Sequence, residues 1–225
     1  MKKKALVLAV AALAATPVLA HEAGSFIIRA GAAHVAPNDS SSRINAGGSD
    51  VAGTKATVGN DTQLGLTFAY KLTDHIGVEL LAATPFSHRV GVKGVNPTVD
   101  GKLAQVKHLP PTLTLQYYPM DKTSRWQPYF GAGINYTMFF DEDLSSARKQ
   151  QGFSNLKLQD SVGLAGQLGM DYMLTDNLLV NASVWYIDID TKATVDGPNA
   201  LGVGKTKVDV DVDPWVYMVG IGYKF

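Results

Sequence analysis

The sequence has 225 residues, with 20 Lys and Arg against 20 Asp and Glu, so its formal net charge is zero. A chain without a basic excess gives no electrostatic footprint for DNA or RNA, which removes nucleic acids as expected partners. The sequence also contains no cysteine, which fits an oxidising compartment, although small cytoplasmic domains often lack cysteine too.

The first twenty residues have the three parts of a secretory signal peptide. Three lysines follow Met1, an apolar run extends from Ala5 to Ala15, and a small-residue cleavage site ends at Ala20. The apolar run is too short to span a bilayer, and no later segment has the roughly 18 uninterrupted apolar residues of a transmembrane helix. We therefore assign residues 1–20 to a signal peptide and expect residues 21–225 to form one domain.

Eight segments after the signal peptide alternate between apolar and polar residues with a period of two, as β-strands do. These segments lie at residues 24–35, 56–72, 76–92, 102–118, 128–140, 156–174, 178–194 and 205–225. An even number lets an antiparallel up-and-down sheet close with both termini on one side, and closure leaves no unpaired edge in lipid. The sequence thus predicts an all-β protein, an eight-stranded antiparallel transmembrane β-barrel.

The connections between these segments alternate in length. Short turns at 73–75, 119–127 and 175–177 alternate with longer stretches at 36–55, 93–101, 141–155 and 195–204. Short periplasmic turns and long extracellular loops are typical of outer-membrane barrels. The sequence therefore predicts a chain in the outer membrane of a Gram-negative bacterium, in contact with its lipids and lipopolysaccharide.

Charged residues fall on the inward face of several predicted strands. The five that we expect to pair inside the barrel are Arg29, Lys71, Glu79, Asp171 and Lys224. Eight strands leave an interior that side chains can fill. We interpret these charges as a structural network that plugs the lower lumen rather than as a conduction path.

The polarity of the two faces inverts where the seventh and eighth strands pass the membrane. Asp188 and Asp190, like Asp209, Asp211 and Asp213, continue the outward face. The inward residues there are apolar, and together with nearby aromatic side chains they are Phe139, Trp185, Ile187, Ile189, Val208, Val210 and Val212. Two interpretations remain open: a funnel for a small hydrophobic ligand, or a minor core packed against an extracellular loop.

Other ligands have weaker support in the sequence. The run Asp209–Asp213 lacks the glycine and glutamate spacing of a calcium-binding EF-hand loop. The five histidines show no spacing typical of a metal site, so we expect them to be satisfied or exposed. We predict no metal and no cofactor.

Prolines are concentrated on the third and fourth predicted strands and the loop between them. They are Pro85, Pro97, Pro110 and Pro111. Each proline removes a hydrogen-bond donor from the sheet, so the wall between these strands is expected to be weakly bonded near its outer end. Either a solute leaves sideways into the bilayer at this wall, or the prolines simply end two strands above the lipid.

The sequence resembles the OmpW/AlkL family of small outer-membrane proteins along essentially the whole exported chain. The matching motifs include Ala23–Gly31, Asp61–Phe68, Ala83–Phe86, Gln116–Pro119, Trp185–Asp190 and Gly220–Phe225. The resemblance implies an eight-stranded barrel with an apolar extracellular funnel that admits small hydrophobic compounds and releases them laterally, although uptake of small amino acids has also been proposed for the family. It implies a channel rather than an enzyme, and we expect a monomer.

Two rival functional classes are weighed against this interpretation. An enzyme acting on lipid A would need a serine, a histidine and an acidic partner at the outer rim, and Ser87–His88 is an adjacent pair without an obvious carboxylate. A structural or adhesion barrel would need only the scaffold. A water-filled porin is disfavoured, because wide lumens come with about sixteen strands or more.

Overall fold

The computed structural model describes residues 21–38, 40–41, 43–46, 49–95, 97, 100–198 and 204–225. The predicted signal peptide lies outside the described residues. The elements are β1 (Phe26–Ala36), β2 (Ser40–Ser41), β3 (Asn45–Ala46), β4 (Ser49–Asp50), β5 (Lys55–Val58), β6 (Asp61–Lys71), β7 (Ile76–Ala83), β8 (Phe86–Lys93), β9 (Gly101–Leu109), β10 (Thr112–Tyr117), β11 (Trp126–Leu144), α1 (Ser146–Gln150), β12 (Ser154–Leu158), β13 (Ser161–Met173), β14 (Leu178–Ile187), β15 (Asp190–Asp196), β16 (Lys205–Asp211) and β17 (Trp215–Lys224). Within the described part of the chain, no helix is long and apolar enough to cross a membrane.

Eight of these strands form a closed antiparallel barrel, which confirms the predicted fold. Around the barrel they follow the order β1, β6, β7, β10, β11, β13, β14 and β17. The ring closes because β17 pairs with β1, from Ile27 opposite Lys224 to Ala36 opposite Trp215. Two glycines, Gly31 and Gly220, face each other in this closing pair, and a Cβ at Gly31 would overlap the backbone oxygen of Val219.

The outer surface of the barrel carries an apolar belt between two rings of aromatic side chains. Leu115, Ile134, Leu164 and Val219 are among the exposed residues of the belt. The exposed aromatic residues of the two rings are Tyr70, Tyr117, Trp126 and Tyr223 near the short turns, and Tyr136, Tyr186, Trp215 and Tyr217 near the opposite end. Aromatic rings flanking an apolar band mark the two membrane interfaces.

Two of the three short turns are held by threonine side chains. Thr73 Oγ1 accepts a hydrogen bond of 2.9 Å from the backbone N–H of Ile76, and Thr175 Oγ1 accepts an equal one from Leu178. Hydroxyls that accept from the backbone in this way favour tight turns. These turns connect the barrel strands at the end where Phe225 and the first described residues, 21–25, lie.

Six of the eight predicted strands are broken where they leave the membrane, so their predicted continuity was wrong. The breaks fall at 59–60, 84–85, 110–111, 159–160, 188–189 and 212–214. Most of these positions contain Gly, Pro, Asn or Asp, and Asp213 has a φ of 35°, so the backbone bends there. Beyond the breaks the wall divides into two sheets, β5–β8–β9 with the end of β11, and β12–β15–β16 with β2, β3 and β4.

Candidate functional site

The lower lumen is filled by a hydrogen-bonded network of charged and amide side chains, here called the polar network. Arg29 Nη1 donates to Glu79 Oε2 over 2.6 Å, and its Nε donates to Asp171 Oδ1 over 2.9 Å. Gln167 and Asn181 donate to the same two carboxylates, each over 2.7 Å. All five side chains are buried. The predicted pairing inside the barrel is present for Arg29, Glu79 and Asp171.

The two lysines assigned to this network are placed differently. The Lys71 ammonium lies 3.4 Å from the ring centroid of Tyr118 and has no hydrogen-bond partner among the described residues. The expectation that Lys71 pairs with a carboxylate was therefore wrong, and an aromatic face takes that place. Lys224 is buried near the turn end, where its backbone N–H donates to Asn177 over 2.7 Å.

Above the polar network the lumen is closed by packed apolar side chains, here called the apolar plug. Its members are Ala33, Leu81, Phe86, Trp185, Ile187, Val216 and Met218, all of them buried. Trp185 is the largest side chain of the plug and is fully buried, and on β14 it is opposite Gln167 on one side and Val216 on the other. The plug therefore separates the polar network from everything on the extracellular side.

An apolar cavity lies above the plug, between the two extracellular sheets. Its volume is about 60 Å³. Because one water needs about 10–15 Å³ on the same measure, the cavity has room for a small ring or a short chain of roughly four to six heavy atoms. The lining residues are Ala56, Val58, His88, Val90, Gly91, Val92, Leu103, Val106, His108, Phe139, Leu156, Leu158, Ile189, Thr191, Ala193, Val208, Val210 and Val212.

Five of the seven predicted funnel residues line this cavity: Phe139, Ile189, Val208, Val210 and Val212. The other two, Trp185 and Ile187, do not line it but lie in the apolar plug below. Both side chains point inward as predicted. They lie on β14, however, which ends below the bend at 188–189, so they are at the level of the plug rather than of the cavity. The inverted polarity itself is present without a register shift, since Tyr186 opposes Trp215 and Asp190 opposes Asp211.

Sequence reasoning missed the seven lining residues that come from β8 and β9, as well as those on β5, β12 and β15. His88 and Val90 share one face of β8, and Val106 and His108 share one face of β9. Residues at alternate positions of a strand share one face, so the two-residue period of these strands could have found all four. His88 and His108, which the sequence analysis expects to be satisfied or exposed, are both buried and have ring centroids 4.8 Å apart.

The two buried imidazoles are neutral at physiological pH. Burial lowers the pKa of His108 to about 3, and the neighbouring His88 ring lowers it further than burial alone would. Burial also lowers the pKa of His88 below its ordinary value. The lining of the cavity thus carries no formal charge among the described residues.

A gap in the hydrogen-bonded wall lies beside the cavity. The β7–β10 ladder ends at Leu81 opposite Thr112, and the β8–β9 ladder begins at Phe86 opposite His108. Between them, residues 82–85 and 109–111 form no ladder with each other in the described chain. The gap lies at the outer aromatic ring, because the carbonyl of Pro111 accepts from the N–H of Tyr136 over 3.1 Å.

Three of the four predicted prolines border this gap: Pro85, Pro110 and Pro111. The fourth, Pro97, is exposed in the loop beyond the outer ends of β8 and β9. Its assignment to the opening was wrong, because the two strands pair continuously from Val92 opposite Gly101 down to Phe86 opposite His108, with one bulge. The pyrrolidine rings of the other three explain the gap, since none of them has an N–H to donate.

The outward aspartates of the last strands lie close together where these strands leave the membrane. Carboxylate oxygens of Asp188, Asp190 and Asp213 lie within 4.8 Å of one another. Partial burial raises the pKa of Asp190, and the neighbouring carboxylates raise it further. One rung further out, Lys192 pairs with Asp209 over 3.1 Å.

The adjacent Ser87 and His88 do not form a nucleophile and base couple. Their side chains point to opposite faces of β8. The Ser87 hydroxyl accepts from Gln105 Nε2 over 2.7 Å, while His88 Nδ1 contacts the carbonyl oxygen of Gly59. The arrangement needed for lipid A hydrolysis at this pair is therefore missing.

A family model described as OmpW family matches residues 22–225. The chain belongs to the OmpW family. This membership covers every strand described above and agrees with the resemblance seen in the motifs. Together with the closed barrel and its aromatic rings, it locates the protein in the outer membrane.

Individual relatives extend this result. The crystal structure of the outer membrane protein OprG from Pseudomonas aeruginosa is 66% identical, with a TM-score of 0.89, covering 92% of this chain and 99% of that chain. Outer membrane protein W of Vibrio cholerae is 48% identical over 215 residues, 96% of this chain and 95% of that protein. Outer membrane protein AlkL of Ectopseudomonas oleovorans is 28% identical over 183 residues, 81% of this chain and 74% of that protein.

Proposed function

We propose that this OmpW-family barrel is a monomeric outer-membrane channel for passive uptake of small hydrophobic molecules. The observation that carries the proposal is the apolar, uncharged cavity on the extracellular side of a closed lumen. An apolar solute gains free energy by leaving water for such a lining, at about 25 cal/mol per Å² of apolar surface buried. A zwitterionic amino acid would instead lose hydration without a charged partner, so the lining favours apolar solutes over amino acids.

The proposed exit is lateral rather than axial. The apolar plug and the polar network stand between the cavity and the periplasm, and both are buried. The gap at 82–85 and 109–111 lies next to the cavity, because His108 borders both. A solute that leaves there enters the outer leaflet and never crosses the charged lower lumen.

Uptake by whole cells tests the entry step. Cells lacking the protein are supplied with wild type, Val210→Asp or Lys207→Asp, and the initial uptake rate of a small apolar probe is measured at matched barrel levels. Val210 lines the cavity, whereas Lys207 points outward on the same strand, β16. We expect V210D to reduce uptake to that of cells without the protein and K207D to retain the wild-type rate. Equal uptake by V210D and wild type contradicts the proposal.

Restoring the missing donors tests the exit step. The double substitution Pro110→Thr and Pro111→Val supplies two backbone N–H groups to the wall beside β7, and Pro97→Thr is the matched control in the outer loop. We expect uptake to fall in the double variant and to stay unchanged in the control. An unchanged rate in the double variant would rule out lateral release through this gap while leaving entry through the cavity intact.

A further inference from the structure

The outer face of the β5–β8–β9 sheet carries four cations around a single glycine. On β8, alternate residues from His88 to Val92 line the cavity, so Gly91 and the residues two positions on either side of it face outward. Across the sheet, Lys55 of β5 opposes Lys93, and Lys102 of β9 opposes Gly91. The four outward cations, here called the basic cradle, are all exposed: Lys55, Arg89, Lys93 and Lys102.

Gly91 leaves a depression at the centre of the basic cradle. A Cβ at this position would lie 2.9 Å from Thr57 Oγ1 and 2.9 Å from the backbone oxygen of Gly101, so no side chain fits there without displacing its neighbours. Neighbouring positions on one face of a sheet are about 5–8 Å apart, a distance that the long lysine and arginine side chains can cover. The four cationic groups can therefore converge on one anion above Gly91, beside the Thr57 hydroxyl.

Among the described residues, no carboxylate neutralises the basic cradle. The neighbouring strand β11 supplies Asp141 and Asp143, and each is paired with a lysine outside the cradle, Lys107 and Lys149. Asp100, in the loop between β8 and β9, accepts from two backbone N–H groups of that loop. Like charges directly opposite each other destabilise a sheet. An anion bound between the two opposed lysines of the cradle would remove that cost.

Protection of a sheet edge does not account for these cations. Lysine on an edge strand discourages pairing with a second chain, and Lys55 lies on such a strand, β5. The other three cations lie on β8 and β9, which are paired on both sides. A different reason is needed for a basic face on interior strands.

The position of the basic cradle decides which anion meets it. β8 begins at Phe86, beside the gap at the outer aromatic ring, and Gly91 is at most about 16 Å further along the strand. The sheet continues the barrel wall, so its outer face is directed at the headgroups of the surrounding lipids. In an outer membrane these are the phosphorylated sugars of lipopolysaccharide. On the opposite wall, the outward aspartates nearest the membrane would repel phosphate.

We propose that the basic cradle binds a phosphate group of lipopolysaccharide and so anchors one lipid on this side of the barrel. The planar guanidinium of Arg89 suits bidentate pairing with phosphate oxygens, while the three lysine ammonium groups act as point charges. Because the protein supplies the cations, the contact needs no divalent metal. The inference is independent of the proposed uptake function.

Binding is measured on barrels in phosphatidylcholine nanodiscs that contain increasing mole fractions of rough-type lipopolysaccharide, with EDTA present. The readout is the NMR shift of the backbone amides of Thr57 and Gly91. We expect saturable shifts with the native lipid. The same lipopolysaccharide, dephosphorylated with hydrofluoric acid, should produce none.

Matched double variants assign the binding to one wall. Arg89→Gln with Lys102→Gln removes two charges from the basic cradle, and Lys205→Gln with Lys207→Gln removes two exposed cations from β16 on the opposite wall. One lysine or arginine at an anionic lipid surface contributes about a fivefold gain in affinity. The cradle variant should therefore bind the lipid about tenfold to thirtyfold more weakly, and the control should keep the wild-type affinity. Heat modifiability on gels checks that both variants fold.

Each of the other outcomes overturns the inference. Unchanged affinity in the cradle variant, or equal weakening in both double variants, would show that the cradle is not the binding site. Binding that appears only when divalent cations replace EDTA would assign the contact to the aspartates of the opposite wall. Inorganic phosphate that produces the same shifts at the same total phosphate concentration would replace the lipid with a free anion as the ligand.

Discussion

Replacing Arg29 with methionine tests whether the lower lumen is dry. The guanidinium is fully buried and donates to Glu79 and Asp171, which are also fully buried in the polar network. In Arg29→Met the two carboxylates lose their shared cation and keep the contacts with Gln167 and Asn181, and Asp171 also keeps His21, whose Nε2 lies 2.7 Å from Asp171 Oδ2. Methionine keeps an unbranched apolar stem but is shorter than arginine, so the variant removes both the charge and the hydrogen-bond donors of the guanidinium.

The expected loss is large because an uncompensated charge is left inside. Removing one partner of a buried ion pair typically costs about 3–5 kcal/mol. Arg29 serves two carboxylates, so the upper part of that range is expected. The exposed pair between Lys122 and Asp74, 2.9 Å apart at a short turn, is the matched comparison. Lys122→Met should change stability far less, since water replaces the lost partner.

The assay is equilibrium urea unfolding in lipid vesicles, followed by tryptophan fluorescence for wild type, R29M and K122M. Adding Asp171→Asn to R29M should recover part of the loss, because it removes one of the two buried carboxylate charges that Arg29 neutralised. A loss below about 1 kcal/mol in R29M would refute the reasoning. It would mean that water reaches both carboxylates and that the polar network does not close the lumen.

Three further predictions follow from packing and ionisation. Trp185→Ala should lower the free energy of unfolding by about 3–5 kcal/mol by opening the apolar plug. Trp185→Phe should cost less, because the indole N–H has no hydrogen-bond partner to lose among the described residues. Equal losses in urea titrations would contradict this. His108 has a pKa of about 3 when folded and an ordinary value near 6.5 when unfolded. The unfolded chain therefore binds more protons as pH falls from 6.5 towards 3, and wild type should lose about 2 kcal/mol more than His108→Phe between pH 7 and pH 5; parallel pH profiles would refute it. Gly31→Val should prevent the pairing of β1 with β17, because a side chain at this position would overlap the backbone of Val219. The expected result is a loss of heat modifiability on gels. A retained gel shift would show that the two strands can move apart enough to admit the side chain.

The barrel was predictable because the residues of each single membrane strand alternate between lipid-facing and lumen-facing types. From Val219 to Lys224, large apolar residues alternate with glycine or lysine, and the same two-residue period assigns one face to lipid and the other to the lumen. The two-residue period alone placed the side chains of Arg29, Glu79 and Asp171 on the lumen side of their strands. It carries no information about distance across the lumen, so it could not show that Lys71 reaches Tyr118 instead of a carboxylate.

The cavity was predictable only in part, because its two walls come from separate sheets. Ile189 and Val210 were found where strong Asp rows marked the opposite face. The wall that contains His88 and His108 has no such marker, and its histidines resemble surface residues until both sheets are brought together. The bends at 84–85 and 188–189 decide which residues stand above the plug, and a bend of this kind depends on how the wall divides rather than on a single residue.

The most direct test of the account blocks the cavity in barrels already assembled in cells. The chain has no cysteine, so Val210→Cys and Lys207→Cys each give a single thiol, one lining the cavity and one facing outward. Cells expressing either variant are treated with benzyl methanethiosulfonate, the extent of labelling is measured by mass spectrometry, and uptake of an apolar probe is compared before and after. We predict that labelling Val210→Cys abolishes uptake, that labelling Lys207→Cys does not, and that reduction with dithiothreitol restores the rate. Full labelling at position 210 with unchanged uptake would contradict the claim that solutes enter through the cavity.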